Sequence, residues 1–409
     1  MSASYHCHLI DDDDDILNLA STLLRAAGHR VSTHSEAESA FAAILADPPD
    51  CIVTDLMMAG TDGHEFCRRL RAQPTLADTP IVVLSSKGYR ADQERAFALG
   101  ANRYLRKPID PEGFVDAIVS VIEDRISVTF WGVRGTLPVP GPGSLRYGGN
   151  TNCVSLEFAD GSLFIFDGGT GIKTLSDHWV ATGRPHLDCH IFISHPHWDH
   201  INALPFFAPL YQAGHRICVC GAQHAGTTMQ DLISAQMDGV YFPITARDFA
   251  ADVRYRSLHE EHFQVGPAQV DTMLLNHPGA CLGYRVRRGK RTFCYITDNE
   301  LYPESDPAYD AAYFNKLADF VRGADLLVID TTYGDAEYPL HRDWGHSPVG
   351  EVARLADAAQ VKTLCLYHHD PDQDDDAIDR KLADAESVMR RLKSKTQIVA
   401  PKERGRVWL

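Results

Sequence analysis

No run in this 409-residue chain comes near the roughly 18 uninterrupted apolar residues that a membrane-spanning helix needs, so no span is expected. A secretory leader is not expected either: five consecutive aspartates, Asp11 to Asp15, follow one short strand-like run. CxxC pairs are absent. The ten cysteines are scattered, and Cys51, Cys153, Cys294 and Cys365 sit in apolar strand-like runs, as small buried hydrophobes in a reducing compartment do. A cytoplasmic protein is the expectation. Basic residues are outnumbered, 39 against 55 acidic, and the formal net charge of −16 argues against broad binding to nucleic acid, which needs clustered Lys and Arg. Internal repeats, Gly/Ser-rich linkers and low-complexity segments are also missing, the aspartate run apart.

The length exceeds what one core normally supports, which predicts two domains, residues 1–125 and 126–409. In the first, short apolar runs alternate with runs of helical period. His6–Ile10, Val31–Thr33, Cys51–Thr54, Ile81–Leu84 and Arg103–Leu105 read as strands, with helices between them. Five βα units of this length predict an α/β fold with a doubly wound, five-stranded parallel sheet whose site lies at the carboxyl ends of the strands. Asp11 and Asp12 follow the first strand, Asp55 the third, Ser85 the fourth and Lys107 the fifth. Three carboxylates at one sheet edge repel unless a cation joins them, and oxygen ligands suit Mg²⁺.

This segment resembles a response-regulator receiver domain, flavodoxin-like in fold. The resemblance implies that Asp11, Asp12 and Asp55 hold Mg²⁺, and that Asp55 accepts a phosphoryl group from a sensor histidine kinase or phosphotransfer protein. Ser85 and Tyr104 match the switch residues, and Lys107-Pro108 the lysine with its proline neighbour. Ala59 stands where the family commonly has proline.

In the second domain His195-Pro196-His197-Trp198-Asp199-His200 follows an apolar, β-branched run, so its ligands are expected on a loop leaving a buried strand. Four metal-capable side chains in six residues are too many for one tetrahedral ion; they start two sites. Asp167, ending a strand in Asp167-Gly168-Gly169-Thr170-Gly171, is a candidate partner for the other ring nitrogen of a ligand histidine.

Together with His277 in Asn-His-Pro, Asp298 in Thr-Asp-Asn and His368 in Tyr-His-His-Asp, these residues resemble the metallo-β-lactamase superfamily. The resemblance implies an αββα sandwich with one ion on His195, His197 and His277, and another on Asp199, His200 and His368. Asp298 bridges them, and His369 competes with His368 as the last ligand. Three nitrogens per ion suit Zn²⁺, with Mn²⁺ or Fe as alternatives. His346, in Gly345-His346-Ser347, resembles an element of the phosphodiesterase branch, which includes tRNase Z. There it assists the leaving oxygen, a task for which histidine has a suitable pKa.

The segments carrying Arg134 and Arg146 resemble that branch as well, which makes these arginines candidate phosphate contacts. The expectation is a response regulator whose output is a binuclear-metal hydrolase of a small phosphodiester, with Asp199 and His346 in catalysis. A homodimer is compatible with the sequence. The alternatives are a tRNase Z-like endonuclease and a lactone or thioester hydrolase. Only twenty residues separate His277 from Asp298, which leaves no room there for a tRNA-grasping arm.

Overall fold

The computed structural model describes residues 4–409 except 59, 60, 77, 78, 184, 185, 225 and 241, so the expectation at Ala59 lies outside the described residues. The chain divides into two compact units, Met1–Ile126 with Glu157–Ser162, and Ser127–Leu156 with Leu163–Leu409.

In the first unit β1 (His6–Ile10), β2 (Arg30–His34), β3 (Cys51–Thr54), β4 (Ile81–Ser85) and β5 (Arg103–Arg106) form one parallel sheet. Its order is β2-β1-β3-β4-β5. Helices α1 (Asp14–Ala26), α2 (Ala37–Ala46), α3 (Gly63–Arg71), α4 (Arg90–Ala98) and α5 (Phe114–Glu123) alternate with the strands and cover both faces. That is why β1 is buried along its whole length: Cys7 and Leu9 pack with Leu17, Leu24 and Ile118, while Ile10 packs with Ala40, Ile44 and Phe66. The aspartate run is divided among three tasks. Asp11 and Asp12 follow the strand, Asp13 caps α1 by accepting from Asp15 N and Ile16 N, and Asp14 and Asp15 lie at its positive end.

The second unit is a sandwich of two seven-stranded sheets. The first takes β6 (Ile126–Gly132), β7 (Cys153–Phe158), β8 (Leu163–Phe166), β9 (Asp188–Phe192), β10 (Arg216–Ala222) and β11 (Asp252–Leu258). The second takes β12 (His262–Val265), β13 (Ala268–Leu274), β14 (Leu282–Arg288), β15 (Arg291–Ile296), β16 (Leu326–Asp330), β17 (Thr363–Tyr367) and β18 (Gln397–Val399) in sequential order, and β19 (Arg406–Trp408) returns to β6 in the first.

Helix α6 (Gly171–Ala181) lies on the outer face of the first sheet, where Ile172, Leu175 and Trp179 meet Ile165, Ile191 and Val219. Between the sheets the core is aromatic: the Phe166 ring has those of Phe192, Tyr284, Phe293 and Tyr295 at centroid distances of 5.2–5.7 Å. The αββα architecture follows from these two kinds of face. The histidine-rich hexapeptide is not wholly a loop, however. α7 (Trp198–Ile201) is a single helical turn, so Asp199 and His200 ride on a helix while His195 and His197 precede it. This change of backbone turns the two pairs apart.

Candidate metal centre

Four of the donors follow a strand end. His195 comes after β9, His277 after β13, Asp298 after β15 and His368 after β17. Two donor groups result, His195, His197 and His277 with Asp298, and Asp199, His200 and His368, and a third, Asp298 with His346 and His368, overlaps them. Asp298 stands between them. Its Oδ2 lies 3.6 Å from His195 Nε2 and 3.8 Å from His277 Nε2, and its Oδ1 lies 3.1 Å from His200 Nε2 and 3.0 Å from His368 Nε2. Asp199 Oδ2 is 3.1 Å from His200 Nε2 and 3.2 Å from His368 Nε2. His197 is exposed, whereas His195, His200 and His368 are buried.

The second ring nitrogens are held by the surrounding chain, which leaves the first ones to converge. His200 Nδ1 donates to Asp167 Oδ2 at 2.7 Å, His277 Nδ1 to Gly345 O at 3.0 Å, and His368 Nδ1 lies 3.0 Å from Thr332 Oγ1. Asp167 also accepts from Ser194 N, Ser194 Oγ and Tyr295 Oη. Asp199 is fixed by Thr136 N at 2.8 Å and Asn152 Nδ2 at 3.2 Å. Glycine is required at 135, where an added Cβ would stand 2.7 Å from His368 Nε2.

The electrostatics suit a cation. Burial works against ionisation of Asp298, but His368, His200 and His195 hold its carboxyl well below the usual range. Burial would likewise lower His368, yet Asp298 and Asp199 raise it to about 10. In the other group burial wins, and His195 is pushed well below its ordinary value. His195 Nε2 is buried without a hydrogen-bond partner. An orphaned neutral nitrogen beside carboxylates that gather positive charge is the donor set a divalent ion fits.

His346 sits beside this cluster, its ring 4.9 Å from that of His368 and 5.5 Å from that of His277. Its Nδ1 donates to Asp330 Oδ2 at 2.7 Å; burial lowers its pKa, but Asp330 outweighs burial and raises it. Sequence reasoning missed Asp330, although an aspartate closing an apolar strand is the signal it used at Asp55 and Asp167. It also missed Glu300, which accepts from Tyr338 Oη, Asp343 N and Gly345 N, and so clamps the segment carrying Gly345 and His346.

Two candidates are engaged elsewhere, and a third stands apart from the donor groups. Arg134, expected at phosphate, is fully buried and donates to the carbonyls of Gly148, Asp370 and Gln373, with Asp375 at 3.6 Å. Its planar fork serves to tie loops together. Arg146, the other expected phosphate contact, is half-exposed and pairs with Asp376 and Asp379. His369 is buried with neither ring nitrogen bonded, and it belongs to none of the donor groups.

In the first unit, the backbone register sets Ile10 against Thr54, which brings Asp11 and Asp55 side by side. Asp11, Asp12 and Asp55 form a further donor group. Lys107 Nζ lies 2.7 Å from both Asp11 Oδ2 and Asp55 Oδ2. Burial disfavours the ammonium, but these carboxylates raise the Lys107 pKa. Ser85 is buried, its Oγ accepting from Lys87 N, and Tyr104 Oη donates to Lys87 O at 2.9 Å.

Residues 7–119 match the family model of the response regulator receiver domain, and residues 173–369 that of the beta-lactamase superfamily domain. The heme response regulator HssR of Staphylococcus haemolyticus is 34% identical over 116 residues, 28% of this chain and 50% of that protein. The response regulator PleD of Caulobacter vibrioides is 35% identical over 102 residues, 25% of this chain and 22% of that protein. The chain thus spans half or less of the length of these relatives. Among solved structures, the metallo-beta-lactamase fold protein YhfI of Bacillus subtilis is 19% identical, over 70% of this chain and 100% of that one, with a TM-score of 0.51. That likeness is one of fold.

Proposed function

We propose that this chain, a receiver domain joined to a domain of the metallo-β-lactamase fold, is a metal-dependent hydrolase of a small phosphodiester, controlled by phosphorylation of Asp55. A cyclic nucleotide or another cyclic phosphate is the substrate class. The observation that carries the reading is Asp298 facing one nitrogen group with each oxygen, with the His346–Asp330 pair beside it.

His195, His197 and His277 would hold one ion, and Asp199, His200 and His368 the other, with Asp298 shared. Zn²⁺ suits these donors best. When bound, a pair of divalent ions supplies Lewis-acid polarisation of phosphoryl oxygens and activates water at neutral pH. The chain's own residues do the rest. Asp199, fixed by Thr136 N and Asn152, orients the entering water. His346, kept protonated by Asp330, gives its proton from Nε2 to the departing alkoxide, and Asp330 balances the charge on the ring. The exposed side of His197 leaves the cluster open to a substrate of modest size.

Incubating the metal-loaded protein with cyclic nucleotides and an aryl phosphodiester tests the reading. Diester turnover is expected; none, alongside robust hydrolysis of a lactone or thioester, rejects it. The β14–β15 hairpin fills the interval between His277 and Asp298, which disfavours a tRNase Z-like role. A nanomolar gel shift with precursor tRNA would revive that role.

Control rests on Asp55, Asp11, Asp12 and Lys107, which together match the needs of a Mg²⁺-dependent phosphoacceptor served by a sensor histidine kinase. Turnover that differs with and without beryllofluoride, at confirmed occupancy, is expected. Equal turnover contradicts control.

A further inference from the structure

Nine of the ten cysteines are buried, and Cys218 alone is partly exposed. It alternates with Cys220 along β10, so both side chains leave the same face of the strand. The opposite face is taken by Ile217 and Val219, which join the core under the helices with Cys189 and Ile191. The two sulfurs stand 3.6 Å apart. In register, Cys218 lies between His190 and Arg254, and Cys220 between Phe192 and Arg256. The hydrogen bond with Cys220 and the charges of the two arginines lower the Cys218 thiol to about 7, while Cys220 is pushed up. A thiol whose ionisation is eased by its neighbours thus sits beside a second thiol on one strand.

We infer that Cys218 and Cys220 form a chelating site for one thiophilic ion, a soft metal or trivalent arsenic, separate from the histidine and aspartate cluster. Two thiolates bound at about 2.3 Å to a tetrahedral ion stand about 3.8 Å apart, so the pair needs to move only about 0.2 Å to grip one. A disulfide, at about 2.05 Å, would draw the sulfurs together by about 1.5 Å and distort the strand. The site is preorganised for chelation over oxidation.

It also has a route to the cluster. Cys220 O accepts from Ile193 N at 2.8 Å, two residues before His195, and Tyr284 Oη donates to Ile193 O at 2.6 Å. An ion gripped by the dithiol bears on the strand that delivers His195.

Phenylarsine oxide tests the site directly. In the adduct two S–H bonds break and two As–S bonds form. The oxide oxygen leaves as water, and arsenic keeps its oxidation state. Intact-mass analysis of the folded, metal-loaded chain should show one phenylarsenic group and two fewer titratable thiols, reversed by a dithiol but not by a monothiol. Cys218→Ser and Cys218→Ala should each weaken capture at least tenfold, and Cys365→Ser should leave it unchanged. No adduct on the folded chain, or full capture by both Cys218 variants, overturns the inference. Because the readout is mass and thiol count, its outcome is independent of whether the protein hydrolyses any diester.

Discussion

Replacing Gly345 by alanine should loosen one ion and spare the other. Gly345 has φ +87°, where an L-residue costs about 1–2 kcal/mol. Its new Cβ would overlap His277 Nδ1 and approach His277 Cε1 and Pro278 Cδ to 2.9 Å. The Gly345 carbonyl that now accepts from His277 Nδ1 at 3.0 Å would be displaced with it. Loss of such a partner typically costs 10–100-fold in metal affinity, or about 1.4–2.7 kcal/mol. That loss falls on the group containing His195, His197 and His277. Gly135→Ala is the mirror experiment, since its Cβ meets the His368 ring and the loss falls on the other group. Zinc competition with a chromophoric chelator should give two binding steps, with a different one weakened in each variant. Equal weakening of both steps in Gly345→Ala, or of neither, with circular dichroism unchanged, would refute the assignment of donors to ions.

Three further outcomes are expected. His346→Asn should lower kcat by about 10²–10⁴ on diesters with alkyl leaving groups and by much less on aryl esters, whose leaving oxygen needs no proton; equal losses would remove His346 as the acid. Lys381 is buried, with Nζ donating to Thr331 O and Thr332 O, and burial lowers it to about 7. Between that pH and its unfolded value of about 10.4 the unfolded chain holds a proton the folded one lacks. Stability should therefore rise with pH by at most about 1.4 kcal/mol per unit, and urea titrations at pH 7 and 9 should show the slope flattened in Lys381→Met. Arg134→Leu should lower Tm by breaking its carbonyl contacts. Arg146→Ala, which loses only surface pairs worth about 0–1 kcal/mol, should leave KM unchanged, and a tenfold rise would restore Arg146 as a phosphate contact.

The strands of the parallel sheet were legible to within a residue or two because burial on both faces leaves a nearly continuous apolar run, as in β3 and β4. The residues now clustered at its edge were legible for the same reason: a strand that is apolar throughout makes the polar residue after it conspicuous. The histidine and aspartate cluster followed the same logic at β9, β13, β15 and β17. Apart from the carboxylates of Asp330 and Glu300, what escaped was whatever acts through backbone or through space. Thr136 contributes an N–H, Gly135 an absence of volume, and Gly345 a carbonyl, and no side-chain pattern records any of these. The two arginines misled for a related reason. A long cation beside a motif reads as a ligand contact until its neighbours are known, and Asp375, Asp376 and Asp379 arrive on a helix more than two hundred residues later.

Asp167 has a consequence for how the domain comes apart. Held at φ +59°, it gathers hydrogens from Ser194 and His200, on the loop and helical turn that follow β9 of the first sheet, and from Tyr295 of the second. Slippage of one layer across the other would have to strip a carboxylate from the imidazole it steadies. Loss of metal and separation of the layers should therefore melt together, with no tightly liganded intermediate left behind.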